Sequence, residues 1–239
     1  MRENNVEGIA MAKEAGVELV ITAGIDMASS EEAVNTAKKF DIVKGCVGIH
    51  PWYADEYSHE NLERLRKLAV EGAVMAVSEI GLDFAGRMTR EWVRSSEVVD
   101  HDVQRKALRA QIGLARELGL PVLVHDRAPG EEMLDILEEE EIVEVGAAIH
   151  GFDKGLACAK RATELGVYLS IGRGLLRGEN EELEEAIRQT PMEWLLTETD
   201  SSDPIGVIAV AQRIAEIKGL TIEEVGQAAT RNLKKLLHL

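Results

Sequence analysis

One feature constrains this chain more than any other: short apolar runs rich in β-branched residues alternate with longer stretches of helical periodicity. The runs are Glu18–Ala23, Val43–Ile49, Val74–Ile80, Val122–His125, Ala147–His150, Val167–Ile171 and Trp194–Thr197. Between them the spacing predicts amphipathic helices. One spans about Val103–Leu118, with Leu108, Ile112 and Ala115 on one face. Another spans about Thr221–Leu237 and opens with the capping-box pattern Thr221…Glu224; Ser29…Glu32 predicts a helix start of the same kind. Gly16, Gly119 and Gly166 stand where helices hand over to strands, as left-handed caps. Near-continuous apolar strands joined by helices imply a parallel sheet covered by helices. With 239 residues and no Pro/Gly/Ser-rich linker, the expectation is one α/β domain over residues 1–239, a (β/α)8 barrel of the TIM type. Such a barrel needs eight strands and seven are recognisable. Val6, Ile9, Ala10 and Lys13 already have helical spacing, so the place for strand one falls before Met1.

Charge and cysteine usage narrow the function. Asp and Glu number 43 against 27 Lys and Arg, a net charge of −16. That argues against passive binding to nucleic acid, which needs a basic surface. It leaves room for a local site where metal ions supply the positive charge. Cys46 and Cys158 have no CxxC spacing, so neither a disulfide framework nor a zinc knuckle is indicated. No apolar run approaches ~18 residues, and the Met1–Asn5 start lacks the apolar core of a signal peptide. A cytoplasmic protein with no membrane partner is expected. Aromatics are 4% of the chain, so the core must be aliphatic. The acidic run Glu138–Glu141 reads as a solvated helix end.

In parallel α/β folds, functional groups gather at the carboxyl ends of strands. Here those ends read Gly48-Ile49-His50-Pro51, Ser78-Glu79-Ile80-Gly81-Leu82-Asp83, Val124-His125-Asp126-Arg127, Ile149-His150-Gly151-Phe152, Ile171-Gly172-Arg173 and Thr197-Glu198-Thr199-Asp200. A lone strand-end histidine is more often a packing residue than a ligand. Three of six histidines at such ends, with Glu79 and Asp200 at two others, are harder to explain by packing. Imidazoles together with carboxylates suit a divalent ion such as zinc, manganese or nickel. His59, His101 and His238 lie in helical or loop contexts and are expected to have no role.

The ordered set Gly-Ile-His-Pro (48–51), Glu-Ile-Gly-Leu-Asp (79–83), Gln104, Leu-Pro-Val-Leu-Val-His-Asp-Arg (120–127), Ile-His-Gly-Phe (149–152) and Glu-Thr-Asp-Ser (198–201) resembles the TatD-type metal-dependent hydrolases of the amidohydrolase-like barrels. The resemblance runs to the closing Thr230-Arg231-Asn232-Leu233. It implies a distorted (β/α)8 barrel that hydrolyses nucleic-acid phosphodiesters or related esters with one or two divalent ions; zinc, manganese, magnesium and nickel are not distinguished. It implies that Glu79 bridges two metals and that His125 and His150 complete the second site. Asp200 corresponds to the carboxylate that binds the first metal and orients the attacking water. His50, Arg127 and Arg173 are expected on the substrate side.

Three departures stand out. Ser78 replaces the usual glycine before the glutamate. The stretch 84–103 does not match the family's tyrosine-rich loop. No histidine precedes His50, so the family's His-x-His pair on strand one has no counterpart. A chain start inside a longer protein is the favoured explanation over a degenerate member that lost a metal. The implied function is a phosphodiesterase or deoxyribonuclease acting on strand ends or a small phosphoester. Rival readings are a hydrolase of esters, lactones or amides, and an inactive barrel serving as a binding protein. A barrel lacking one strand would expose edges, through which oligomers could form.

Overall fold

The computed structural model describes residues 6–88, 97–178 and 180–239. The Met1–Asn5 start and part of the 84–103 stretch, both read above, lie outside the described residues. In chain order the elements are α1 (Val6–Glu14), β1 (Val20–Ala23), α2 (Met27–Lys39), β2 (Val43–Val47), α3 (His59–Ala69), β3 (Val74–Asp83), α4 (His101–Leu118), β4 (Val122–Arg127), α5 (Glu132–Glu139), β5 (Ala147–His150), α6 (Leu156–Glu164), β6 (Val167–Ile171), α7 (Glu181–Gln189), β7 (Leu195–Thr197), α8 (Val207–Lys218) and α9 (Ile222–Leu236). Each of the seven predicted runs forms a strand. The described residues fall into two compact units, one made of those within 21–146 and the other of 6–20 with those within 147–239. Within each unit the strands follow chain order, β1-β2-β3-β4 in one and β5-β6-β7 in the other. The β2/β3, β3/β4, β5/β6 and β6/β7 pairs are parallel.

In the 21–146 unit, Met27, Val34, Val47, Ile49, Leu65, Ala69, Val74 and Leu114 form an aliphatic cluster in which α2, α3 and α4 cover β2 and β3. Helix α4 begins at His101, its N-terminus capped by Asp100 and its end closed by Gly119 at φ 66°. Two of its buried residues are polar. Gln111 accepts from Ile49 N at 2.7 Å and donates to Ile49 O at 3.0 Å. Gln104 does the same for Asp83, at 2.8 and 2.9 Å. Each amide takes the place of a strand neighbour, satisfying backbone groups at the strand ends where functional residues stand. In the other unit, buried Asn232 on α9 donates to Met192 O and Leu195 O, both at 2.8 Å, and so ties the last helix to the start of β7.

Two local expectations need correction. The helix expected to open at Ser29…Glu32 starts at Met27, and its cap is Asp26. Asp26 Oδ1 accepts from Ser29 N at 2.8 Å while Ser29 Oγ accepts from Asp26 N at 3.0 Å, so Ser29 is the third helical residue of the box rather than its cap. The acidic run at the end of α5 is not simply solvated: Glu139 and Glu140 pair with Arg109 of α4, and Glu141 pairs with Arg116. The box at Thr221 and Glu224 forms as expected.

Candidate metal centre

The ends of β2, β3 and β4 bring together His50, Glu79 and His125, the one group among the described residues whose ligand atoms all lie within 4.8 Å of one another. Backbone chemistry sets the place of each. Glu79 N donates to Gly24 O at 2.8 Å, and His50 N donates to Ile25 O at 2.9 Å. Gly81 lies opposite His125 in the β3/β4 register. A side chain at Gly81 would put its Cβ 2.0 Å from His125 O, and φ is +150°, so only glycine lets the two strand ends close.

The three members are not equivalent. Trp52 N donates to His50 Nδ1 at 3.1 Å. That leaves the His50 proton on Nε2, which faces Glu79 Oε1 at 3.6 Å. Burial lowers the His50 pKa, against the raising effect of the Glu79 charge, so the ring is neutral. His50 is thus a hydrogen-bond donor pointed into the group rather than a ready ligand. His125 Nδ1 lies 3.1 Å from Glu79 Oε1, and His125 Nε2 lies 2.9 Å from Asp83 Oδ2.

Asp83 is the hub of this corner, and its side chain is 0% exposed. Its Oδ2 accepts from Trp52 Nε1 at 2.8 Å and its Oδ1 from Ala85 N at 2.9 Å. Burial pushes the Asp83 carboxyl up, but the hydrogen bond and charge of His125, helped by Ala85 and Trp52, outweigh it and hold the pKa below the usual carboxylate range. An ionised carboxylate only accepts, so the partner atom His125 Nε2 carries a proton. For a neutral ring, His125 Nδ1 and Glu79 Oε1 are then two acceptors facing each other at 3.1 Å. Two acceptors so placed need a positive species between them, a proton or a metal ion. One imidazole and one carboxylate form a donor set that suits a divalent ion.

The second unit holds a related arrangement. His150 ends β5, and its Nδ1 lies 3.1 Å from Glu198 Oε1; the same oxygen accepts from Gly151 N at 2.8 Å. Glu198 lies against Gly172, where a Cβ would meet Glu198 Oε1 at 2.9 Å. Asp200 follows β7, exposed, with φ at 47°. Arg173 is exposed at the start of the turn Arg173–Leu176. Arg127 ends β4 in the first unit and is half-buried. The structure therefore joins Glu79, His125 and His50 in one unit, and pairs His150 with Glu198 in the other.

Sequence reasoning gave no role to Asp83 or Glu198. Both lie inside the motifs read above, and the signal that could have singled them out is a carboxylate at a strand end near a strand-end histidine. His101, expected to have no role, stacks on Phe84 with ring centroids 3.7 Å apart.

The chain matches the family described as TatD related DNase over residues 1–238. It is 30% identical to YabD of Bacillus subtilis (strain 168), named an uncharacterized metal-dependent hydrolase, over 98% of this chain and 92% of that protein. It is 28% identical to the 3'-5' ssDNA/RNA exonuclease TatD of Erwinia tasmaniensis, over 97% of this chain and 92% of that protein. Among solved structures it is similar to YJJV, a TatD homolog from Escherichia coli K12, with a TM-score of 0.85 and 23% identity over 98% of this chain and 91% of that one. That likeness shows the fold, the α/β TIM-type class expected from the alternation.

Proposed function

From the premise that this chain belongs to the TatD-related DNase family of metal-dependent hydrolases, we propose that it is a phosphodiesterase acting on the ends of nucleic-acid strands. The observation that carries the reading is the approach of Glu79 Oε1 and His125 Nδ1 to 3.1 Å near the ends of adjacent strands. These two residues would hold a divalent ion in the 21–146 unit. His150 and Asp200 are the proposed ligands in the other unit. A bound ion supplies Lewis acidity toward a phosphoryl oxygen and lowers the pKa of water.

The chain's own residues do the rest. His50 offers Nε2–H, fixed by the Trp52 N–H at its other nitrogen, as a donor to a non-bridging phosphate oxygen. Asp200 orients the attacking water and takes its proton on a carboxylate oxygen. Arg127 and Arg173 add positive charge toward phosphate. With a net charge of −16, little else on the chain attracts a polyanion, which favours a strand end entering a site over a duplex held along a groove. The exonuclease name of the Erwinia tasmaniensis relative supports the same substrate class.

The test is hydrolysis of an end-labelled single-stranded oligonucleotide, beside p-nitrophenyl acetate and bis-p-nitrophenyl phosphate, with zinc, manganese or magnesium and with chelator. The proposal expects stepwise, chelator-sensitive shortening of the oligonucleotide. Turnover of the carboxylic ester alone would replace it with the esterase reading.

A further inference from the structure

We infer that Asp83 is a positioning residue that selects which nitrogen of His125 faces the ion, an inference resting on the reading that Glu79 and His125 hold a metal. Asp83 has both oxygens committed to donors: Oδ1 to Ala85 N, Oδ2 to Trp52 Nε1 and His125 Nε2. Its backbone is fixed as well, since Gln104 accepts from Asp83 N and donates to Asp83 O. The carboxylate therefore cannot turn away from His125 without abandoning two other donors.

Because that carboxylate only accepts, it holds the proton on Nε2 and leaves the Nδ1 lone pair directed at Glu79. A ring turned the other way would have to carry its proton on Nδ1 to keep a donor on the carboxylate, so the Nε2 proton and the Nδ1 lone pair toward Glu79 belong to the observed orientation, in which Nε2 lies 2.9 Å from Asp83 Oδ2. Carboxylates that accept from the non-ligating nitrogen of a metal-binding histidine fix its tautomer and raise its basicity. Asp83 also holds the Trp52 indole, two residues from His50. Its loss could thus act through the loop instead of the ring, and the experiment must separate the two routes.

Zinc affinity would be measured by competition with a chromogenic chelator for wild type, Asp83→Asn and Trp52→Phe, with circular dichroism checking the fold. Long-range nitrogen–proton spectra would locate the His125 proton in wild type. The expected result is zinc binding weakened by about 10- to 100-fold in Asp83→Asn. Trp52→Phe, which removes one donor from Asp83 but keeps the Asp83–His125 bond, should lose clearly less affinity than Asp83→Asn, and His125 should carry a proton on Nε2 with and without zinc. Unchanged affinity in Asp83→Asn, an equal loss in Trp52→Phe, or a His125 lacking the Nε2 proton would each overturn the inference. A wild-type protein that binds no zinc would sink the metal reading instead, and the position of the proton would then decide the role of Asp83 alone.

Discussion

His125, near the end of β4, and His150, the last residue of β5, each meet a carboxylate, yet the two corners are built differently. Asp83 comes from the adjacent strand, where its register partner is Arg127, two residues past the histidine. It is sealed from solvent and uses both oxygens for three donors. Glu198 follows β7 and reaches His150 past the end of β6, where Gly172 leaves the room. It is 17% exposed, and one oxygen takes both donors. The carboxylates also meet opposite nitrogens, Nε2 of His125 and Nδ1 of His150. The first imidazole meets a sealed carboxylate on the neighbouring strand, whereas the second meets a partly exposed carboxylate that follows β7.

The largest difference should come from the two glycines. Gly81→Ala forces a Cβ against the His125 carbonyl at a φ few side chains adopt, so a loss above about 4 kcal/mol, or no folded protein, is expected. Gly172→Ala meets only the end of Glu198, which can move, and should cost about 1 kcal/mol in denaturant titration. Equal costs would break the distinction between ladder and side chain. The carboxylates come next. Asp83→Asn turns one acceptor into a donor facing an N–H, and a cost of about 1–3 kcal/mol is expected from thermal unfolding. Glu198→Gln keeps an oxygen able to accept from both His150 and Gly151, and should cost less than about 1 kcal/mol. A reversed order would show that the second corner is the rigid one.

The smallest effect concerns the thiols, one in each unit. Burial pushes the Cys46 thiol up to about 12, against a backbone hydrogen bond from Ala76. Cys46 is 0% exposed in β2 and Cys158 7% exposed in α6. Native-state labelling with an aromatic disulfide reagent at pH 8 should modify Cys46 more slowly, because its reaction waits on opening of the first unit's core. Faster labelling of Cys46 would place the looser packing in the unit with the sealed carboxylate.

Much of this was legible in the sequence. The alternation located every strand, and Ala147–His150 and Val167–Ile171 matched to the residue because apolar runs bounded by glycines leave little freedom of register. The third strand was read as ending at Ile80 but runs to Asp83. Gly81 looks like a breaker, and nothing local announces that Gln104, some twenty residues away, supplies the missing partner for the Asp83 backbone. Glu79 and His125 could be singled out because strand ends collect chemistry in such folds. The tautomer of His50 could not, because it depends on Trp52 N reaching back to Nδ1. Asp83 and Glu198 were hidden for a similar reason: a carboxylate supports a histidine only if it faces the right nitrogen, and that is a property of the folded rings.

The central claim is that Glu79 and His125 share a divalent ion, with His125 turned by Asp83. Anomalous diffraction at the zinc edge from crystals grown with zinc tests it most directly. The expected peak lies about 2.0–2.2 Å from a Glu79 oxygen and from His125 Nδ1, with Nε2 still on Asp83. A protein without zinc at this corner, or with zinc held through His125 Nε2, would contradict the account.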